Sequence, residues 1–343
     1  MSDNPTHMQA EIAEISEAVS RFLDHPSESV VTAAEALRVN DPKLIVTIAR
    51  GSSDHAASFL KYAIELTAGV PVASLAPSVA SIYEVQLKLA NAASFSISQS
   101  GESPDILAVT KMAIEGGALS IVLTNKQQSP LAEIAHHAID ISAGPELSVA
   151  ATKSFVSSIV AGLSVLAEWQ NDAKLRTALN DLPGHLRKAL GCDWSKLTEQ
   201  LDRGKSLYVL GRGPAMAIAS EMALKFKETC GLHAEAYSTA EVMHGPVALV
   251  ESGFPILALT ARDAAEQSSL MAAEKLATDG AKVFTTSEGA KKAEMLPFVA
   301  TGHALTDALC LVVPFYVFVE SYARHLGLNP DHPPRLRKVT ETR

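Results

Sequence analysis

Leu44-Ile-Val-Thr-Ile-Ala-Arg-Gly51-Ser-Ser-Asp-His-Ala-Ala-Ser-Phe59 reads as a short apolar β-run, a glycine turn and the start of a helix. The same unit returns at Ser206-Leu-Tyr-Val-Leu-Gly-Arg-Gly213-Pro-Ala-Met-Ala-Ile-Ala-Ser-Glu221, with Gly213 standing 162 positions after Gly51. Gly69 and Gly231 keep that spacing, and each closes a helix before another extended run. Solenoid repeats recur every ~20–50 residues. A repeat of the length seen here is a duplicated domain.

Working outward, β-like runs at 94–98, 119–124 and 138–142 alternate with helical ones in the first half. Runs at 207–210, 256–260 and 282–286 do the same in the second. This alternation predicts an α/β chain of two tandem doubly wound sheets, mainly parallel. Around them we expect an N-terminal helical arm (1–38), a first domain (39–170), a polar helical linker (171–203) carrying Pro183-Gly184, and a second domain (204–328). A final helix over 305–326 leads to Asn329-Pro330, His332 and Pro333-Pro334, which force an extended tail (329–343) expected to close the active site.

The 343 residues suffice for two such cores, with 47% hydrophobic and 20% charged residues. A net charge of −9 argues against a nucleic-acid partner. Cys192, Cys230 and Cys310 are too widely spaced for a disulfide framework or a CxxC metal site. The chain opens on no basic segment followed by an apolar stretch, and the apolar run Ala308–Val319 is shorter than a bilayer span and holds Pro314. We therefore expect a cytoplasmic protein with no membrane partner. The adjacent His136 and His137 have poor metal spacing and are read as structural, so no metal and no cofactor is expected.

Three segments bear chemistry. Ser98-Gln99-Ser100-Gly101-Glu102-Ser103-Pro104-Asp105 follows a strand and opens a helix, with Ser103 at the N-cap position and Pro104 at the first helical one. Hydroxyls and free backbone N–H groups at a helix start suit an anion, although a capped loop without a ligand fits the same residues. Ser52 and Ser53, after Gly51, would converge on it from the neighbouring strand end. In Gly211-Arg212-Gly213 a nicotinamide fingerprint fails, because Met216 stands where a third glycine or alanine belongs.

On a helical wheel for 215–229, Ala215, Ile218, Ala219, Met222 and Phe226 form the apolar stripe, and Glu221, Lys225 and Glu228 line one flank. The three can be an ordinary ion pair on a solvated face. They can equally be a carboxylate near a domain interface with a cation to orient it. His244, before Gly245-Pro246, falls in an expected loop.

These residues together resemble the isomerase half of glucosamine-6-phosphate synthase, a tandem of two sugar isomerase (SIS) domains, over the whole chain. The resemblance rests on Ser98-Gln-Ser-Gly-Glu102, Glu146-Leu-Ser-Val-Ala-Ala-Thr-Lys-Ser-Phe155, Leu224-Lys-Phe-Lys-Glu228 and the stretch from His233-Ala-Glu-Ala-Tyr237 to His244-Gly-Pro246. Met8-Gln-Ala-Glu-Ile-Ala-Glu14 is similar to the arm before the first such domain. It implies that Ser53, Ser98, Gln99, Ser100 and Ser103 hold the phosphate, beside Gly51 and Ser52 of the neighbouring turn, and that Glu146, Val149 and Ala151 lie along the sugar. It also implies that Glu228 carries the proton between C1 and C2 with Lys225 beside it. His244 would help open the ring in a partner's site, and the tail lysine Lys338 would form a Schiff base with the keto sugar. A homodimer with a shared active site follows.

The sequence departs from that family at three points. We expect no glutaminase domain before the first SIS domain, Ala151 stands where a serine is usual, and Arg337 replaces a small residue before the tail lysine. The expected reaction is therefore the ammonia-releasing one, from glucosamine 6-phosphate to fructose 6-phosphate. Alternatives are a fructosamine-6-phosphate deglycase and an ammonia- or partner-dependent synthase. A sugar-phosphate-sensing regulator is disfavoured by the retained carboxylate and lysine.

Overall fold

The computed structural model describes residues 5–24, 28–202, 204 and 206–338. Parts of the predicted arm, linker, second domain and tail lie outside these residues. Among the described residues, two five-stranded sheets form, parallel throughout. The first contains β1 (Leu44–Ile48), β2 (Val72–Ser74), β3 (Ala92–Ile97), β4 (Leu119–Thr124) and β5 (His137–Asp140) in the order β2-β1-β3-β4-β5. The second contains β6 (Leu207–Gly211), β7 (Ala234–Ser238), β8 (Pro255–Ala258), β9 (Lys282–Thr285) and β10 (Glu294–Met295) in the order β10-β9-β8-β6-β7. Counted from its own first strand, each sheet runs 2-1-3-4-5. Topology is duplicated along with the motif.

The extended runs expected after Gly69 and Gly231 are β2 and β7. Only the two-residue β10 went unanticipated. Strand order reverses at β1/β3 and at β6/β8, and ligands of doubly wound sheets bind outside the carboxyl ends of strands at such points. Gly51 (φ 55°, ψ −132°) and Gly213 (φ 58°, ψ −138°) share one conformation at the starts of helices Ser52–Thr67 and Pro214–Cys230. Side chains disfavour that backbone region, which explains a glycine at both turns.

Of the described residues, those in 14–146, 153–181 and 337–343 make one compact unit, and those in 1–13, 147–152 and 182–336 the other. In the β1–β5 unit, helix Lys153–Trp169 is buried along nearly its whole length, packed against helices Ile15–Asp24, Glu28–Asn40 and Ser52–Thr67. Val46, Ile48, Ile106, Val109, Val122 and Leu131 fill one face of the sheet.

In the β6–β10 unit, the stripe read from the wheel (Ala215, Ile218, Ala219, Met222, Phe226) is buried throughout. Phe226 meets Phe315 edge to face at 5.0 Å between ring centroids. The single helix expected over 305–326 is two, Ala304–Cys310 and Val312–His325, broken at Leu311. The cause is Pro314, which has no N–H to return to the Cys310 carbonyl. Taken together, Ala304–His325 is long and apolar enough to cross a bilayer, contrary to the expectation from the shorter run. Yet 83% of its apolar window is buried within the fold, as in a core helix.

Candidate active site

The β1–β5 unit carries the 98–103 turn. β1 and β3 pair side by side, so the 50–53 turn and the 98–103 turn leave neighbouring strand ends. Arg50 Nε joins Asp105 Oδ2 at 3.0 Å, tying the first turn to the helix Pro104–Glu115 that the second one opens. The two turns thus leave adjacent strand ends and are tied through that ion pair. Within the loop, Ser98 Oγ accepts the Gly101 N–H at 3.1 Å and Ser100 Oγ accepts that of Glu102 at 3.3 Å. The Gln99 carbonyl accepts the Asn125 N–H, which pins the turn to the end of β4.

Gly101 (φ 62°) is required twice over. A Cβ there would fall 2.1 Å from the Ser129 hydroxyl, and the backbone is left-handed. Ser103 occupies the N-cap, but its side chain makes no capping hydrogen bond. Its hydroxyl is spared from the cap and is half-buried beside the turn. Ser52 and Ser53, also half-buried, begin their helix next to Asp54. Burial pushes the Asp54 carboxyl up against the opposing pull of His55 and Arg50.

The same unit holds the tail lysine. Lys338 Nζ lies 3.3 Å from Glu146 Oε2. The Glu146 side chain is wholly buried and also accepts the Ser154 N–H at 3.1 Å and the Ser154 hydroxyl at 2.5 Å. Glu146 is thereby a fixed carboxylate that presents one edge to an amine.

The β6–β10 unit carries the carboxylate pair. On helix Pro214–Cys230, Lys225 Nζ lies 2.5 Å from Glu228 Oε2 and 3.2 Å from Glu221 Oε1, and the Tyr316 hydroxyl donates to Glu221 Oε1 at 3.1 Å. The solvated-face reading is thus overturned: Lys225 and Glu221 expose nothing, while Glu228 keeps 21% of its side chain accessible. Burial acts to lower the Lys225 pKa, but the two carboxylates outweigh it and hold the ammonium charged well above its ordinary range. Of the three groups only Glu228 can meet a solute.

His244 ends a short 3₁₀ turn, Glu241–His244, and is exposed. Val149 and Ala151 belong to segment 147–152, where the Val149 N–H donates to the Asp331 carbonyl at 3.2 Å. His136 is structural as read, its Nδ1 accepting the Ser120 N–H. Sequence reasoning did not single out Arg50, Tyr316 or Ser154, whose roles arise only from pairing with residues far along the chain or on another element.

Comparison with known proteins gives three findings. The SIS domain model matches residues 39–167 and 200–289. A glutamine–fructose-6-phosphate aminotransferase (isomerizing) from Sulfurisphaera tokodaii is 32% identical over 342 residues, which span 98% of this chain and 56% of the relative. The chain thus spans about half the length of the curated relatives it matches. Among solved structures, a candidate phosphosugar isomerase from Silicibacter pomeroyi superposes with a TM-score of 0.92 at 52% identity, covering 95% of this chain and all of the other. The C-terminal domain of a glucosamine-fructose-6-phosphate aminotransferase from Francisella tularensis follows at 0.87 and 26%, covering 96% and 99%.

Proposed function

The chain belongs to the SIS domain family, and we propose that it is an amino-sugar-phosphate isomerase that releases ammonia, converting glucosamine 6-phosphate and water to fructose 6-phosphate and ammonia. The observation that carries this reading is the Glu221–Lys225–Glu228 cluster. Burying the Lys225 and Glu221 charges is costly, and a partly exposed carboxylate fixed by a buried ammonium is equipment for moving a proton.

In this reading the 98–103 turn and Ser52-Ser53 hold the phosphate, and Glu146, Val149 and Ala151 lie along the sugar. His244, offered to a second copy of the chain in a homodimer, assists ring opening. The open aldose has an aldehyde at C1 and an amine on C2. Glu228 takes the proton from C2 while O1 gains one, leaving an enolamine; it then returns its proton to C1 while the nitrogen gives one up, so a ketimine forms at C2. Water adds to that imine and ammonia leaves, or Lys338 displaces ammonia first and the resulting Schiff base is hydrolysed. Every atom of this sequence is supplied by the sugar and water.

A second reading, synthesis of the amino sugar from fructose 6-phosphate, is favoured by the names of the curated relatives. One assay separates the readings. Ammonia release is measured from a panel of amino-sugar phosphates and fructosamine phosphates, and amino-sugar formation from fructose 6-phosphate with ammonia or glutamine. Stoichiometric ammonia and fructose 6-phosphate from glucosamine 6-phosphate is the expected result. Ammonia from the fructosamine phosphates alone, or no turnover in either direction, would refute it.

A further inference from the structure

Glu11 lies on the helix His7–Ala13 and is 4% exposed. Among the described residues its hydrogen-bond donors come from one place, more than 130 residues away: the N–H groups of Leu147 and Ser148, the second at 3.2 Å, and the Ser148 hydroxyl. The next amide, Val149 N–H, goes to the Asp331 carbonyl. Asp331 in turn caps the helix that carries Glu11. Its carboxylate accepts the N–H groups of His7 and Met8, each at 2.8 Å. Thr6 completes that cap by accepting the Gln9 N–H at 3.0 Å, and its hydroxyl donates to Glu320 at 2.7 Å.

Three consecutive amides, 147 to 149, are thus held by the arm helix and the residue that caps it. Ser148 is fully buried and its hydroxyl also reaches the Ala150 carbonyl at 2.9 Å. A buried carboxylate needs donors to offset its desolvation, and N–H groups bonded to a charged acceptor are held more firmly than in a neutral pair.

Resting on the proposed function, in which Val149 and Ala151 lie along the sugar, we infer that Glu11 is a positioning residue for the substrate. It sets the backbone of the sugar-side segment and so governs affinity for the carbohydrate part of the ligand. The phosphate part is recognised at the 98–103 turn and is independent of it. Asp331 fixes the helix from which Glu11 acts.

The test uses the full chain and binding alone, by calorimetry, with two probes: inorganic phosphate and fructose 6-phosphate. Glu11→Ala is expected to weaken fructose 6-phosphate by about tenfold or more, the order carried by charge-assisted hydrogen bonds. Phosphate affinity is expected to stay as in the wild type. Glu11→Gln, which keeps one acceptor for the amides, should recover most of the loss. A lowered melting temperature with the ratio of the two affinities unchanged would make Glu11 merely structural and overturn the inference. So would a parallel loss for both probes. If the wild type binds phosphate and no sugar phosphate at all, the functional reading fails and this inference falls with it. If the wild type binds both and Glu11→Ala keeps their ratio, the inference alone falls.

Discussion

Lys225 and Glu228 are joined at 2.5 Å, with the lysine wholly buried and the glutamate partly open to solvent. Glu221 takes the other side of the same ammonium and is as buried as the lysine. The asymmetry separates two tasks. Glu221, held by Tyr316, neutralises the lysine, and Glu228 keeps the accessible edge that the proposed proton transfer requires.

That division gives a stability prediction. Lys225→Met strands the buried Glu221 carboxylate, and breaking a buried pair from one side costs ~3–5 kcal/mol. Glu228→Gln leaves Lys225 its Glu221 partner and removes a charge with 21% exposure, so it should cost clearly less. Urea unfolding of the two variants compares them directly. Equal losses would show that Glu221 does not depend on Lys225.

The pH dependence follows from the raised Lys225 pKa. A group whose folded pKa lies above its unfolded value, here 10.5, stabilises fully below the unfolded value and loses that contribution as pH rises through the folded one. The stability gap between wild type and Lys225→Met should therefore be flat from neutral pH to about 10 and shrink above it. A gap that already closes between pH 7 and 9 would mean that the ammonium is not stabilised as its surroundings imply.

For the anion turn, Ser100→Ala should weaken binding of phosphorylated sugars by roughly 1.5–3 kcal/mol, the worth of a hydrogen bond to a charged group. Binding or turnover of unphosphorylated sugars should not change. Gly101→Ala should do more and to both, since its Cβ meets Ser129 and its φ is left-handed. Adding Ser129→Gly would relieve the contact and not the backbone strain, so recovery should be partial. Full recovery would show that the conformation of Gly101 is unimportant.

The duplication was legible because Gly51 and Gly213 sit in one backbone region open to little else, and that constraint is local. The stripe from Ala215 to Phe226 was legible for the same reason, being a pattern within one helix. The Glu221–Lys225 pair was legible as spacing but not as burial. Burial depends on Tyr316, 95 residues away on the helix that covers it. The ties of Glu11 to Ser148 and of Asp331 to Met8 were hidden because such contacts span 137 and 323 residues and leave no periodicity to read.

His244 stands exposed at the end of its 3₁₀ turn, before Gly245-Pro246. If it serves a second copy of the chain, two inactive variants should complement each other. Mixed Glu228→Gln and His244→Ala chains, refolded together, should regain up to about a quarter of wild-type ammonia release by random assortment into dimers with one intact site. Sedimentation checks that mixed dimers formed. With mixed dimers present and no recovery, the shared site would be abandoned.

The last prediction concerns Lys338 and the ion that holds it. Glu146 is fixed by both Ser154 groups and offers one oxygen to the Lys338 ammonium. An amine must lose its proton before it attacks an imine, and a carboxylate at 3.3 Å can receive that proton when substrate enters. Lys338→Met should leave Glu228 able to move the proton between C2 and C1, so solvent deuterium should still enter the sugar. Ammonia release should fall further than deuterium entry does. Borohydride added during turnover should fix substrate to the wild-type chain at Lys338 and to nothing in the variant. Glu146→Gln, which keeps the shape but not the proton acceptor, should reduce that trapping while deuterium entry persists. Full ammonia release by Lys338→Met, with no trapped adduct in the wild type, would show that water attacks the imine directly, and the ion pair with Glu146 would then serve only to dock the tail.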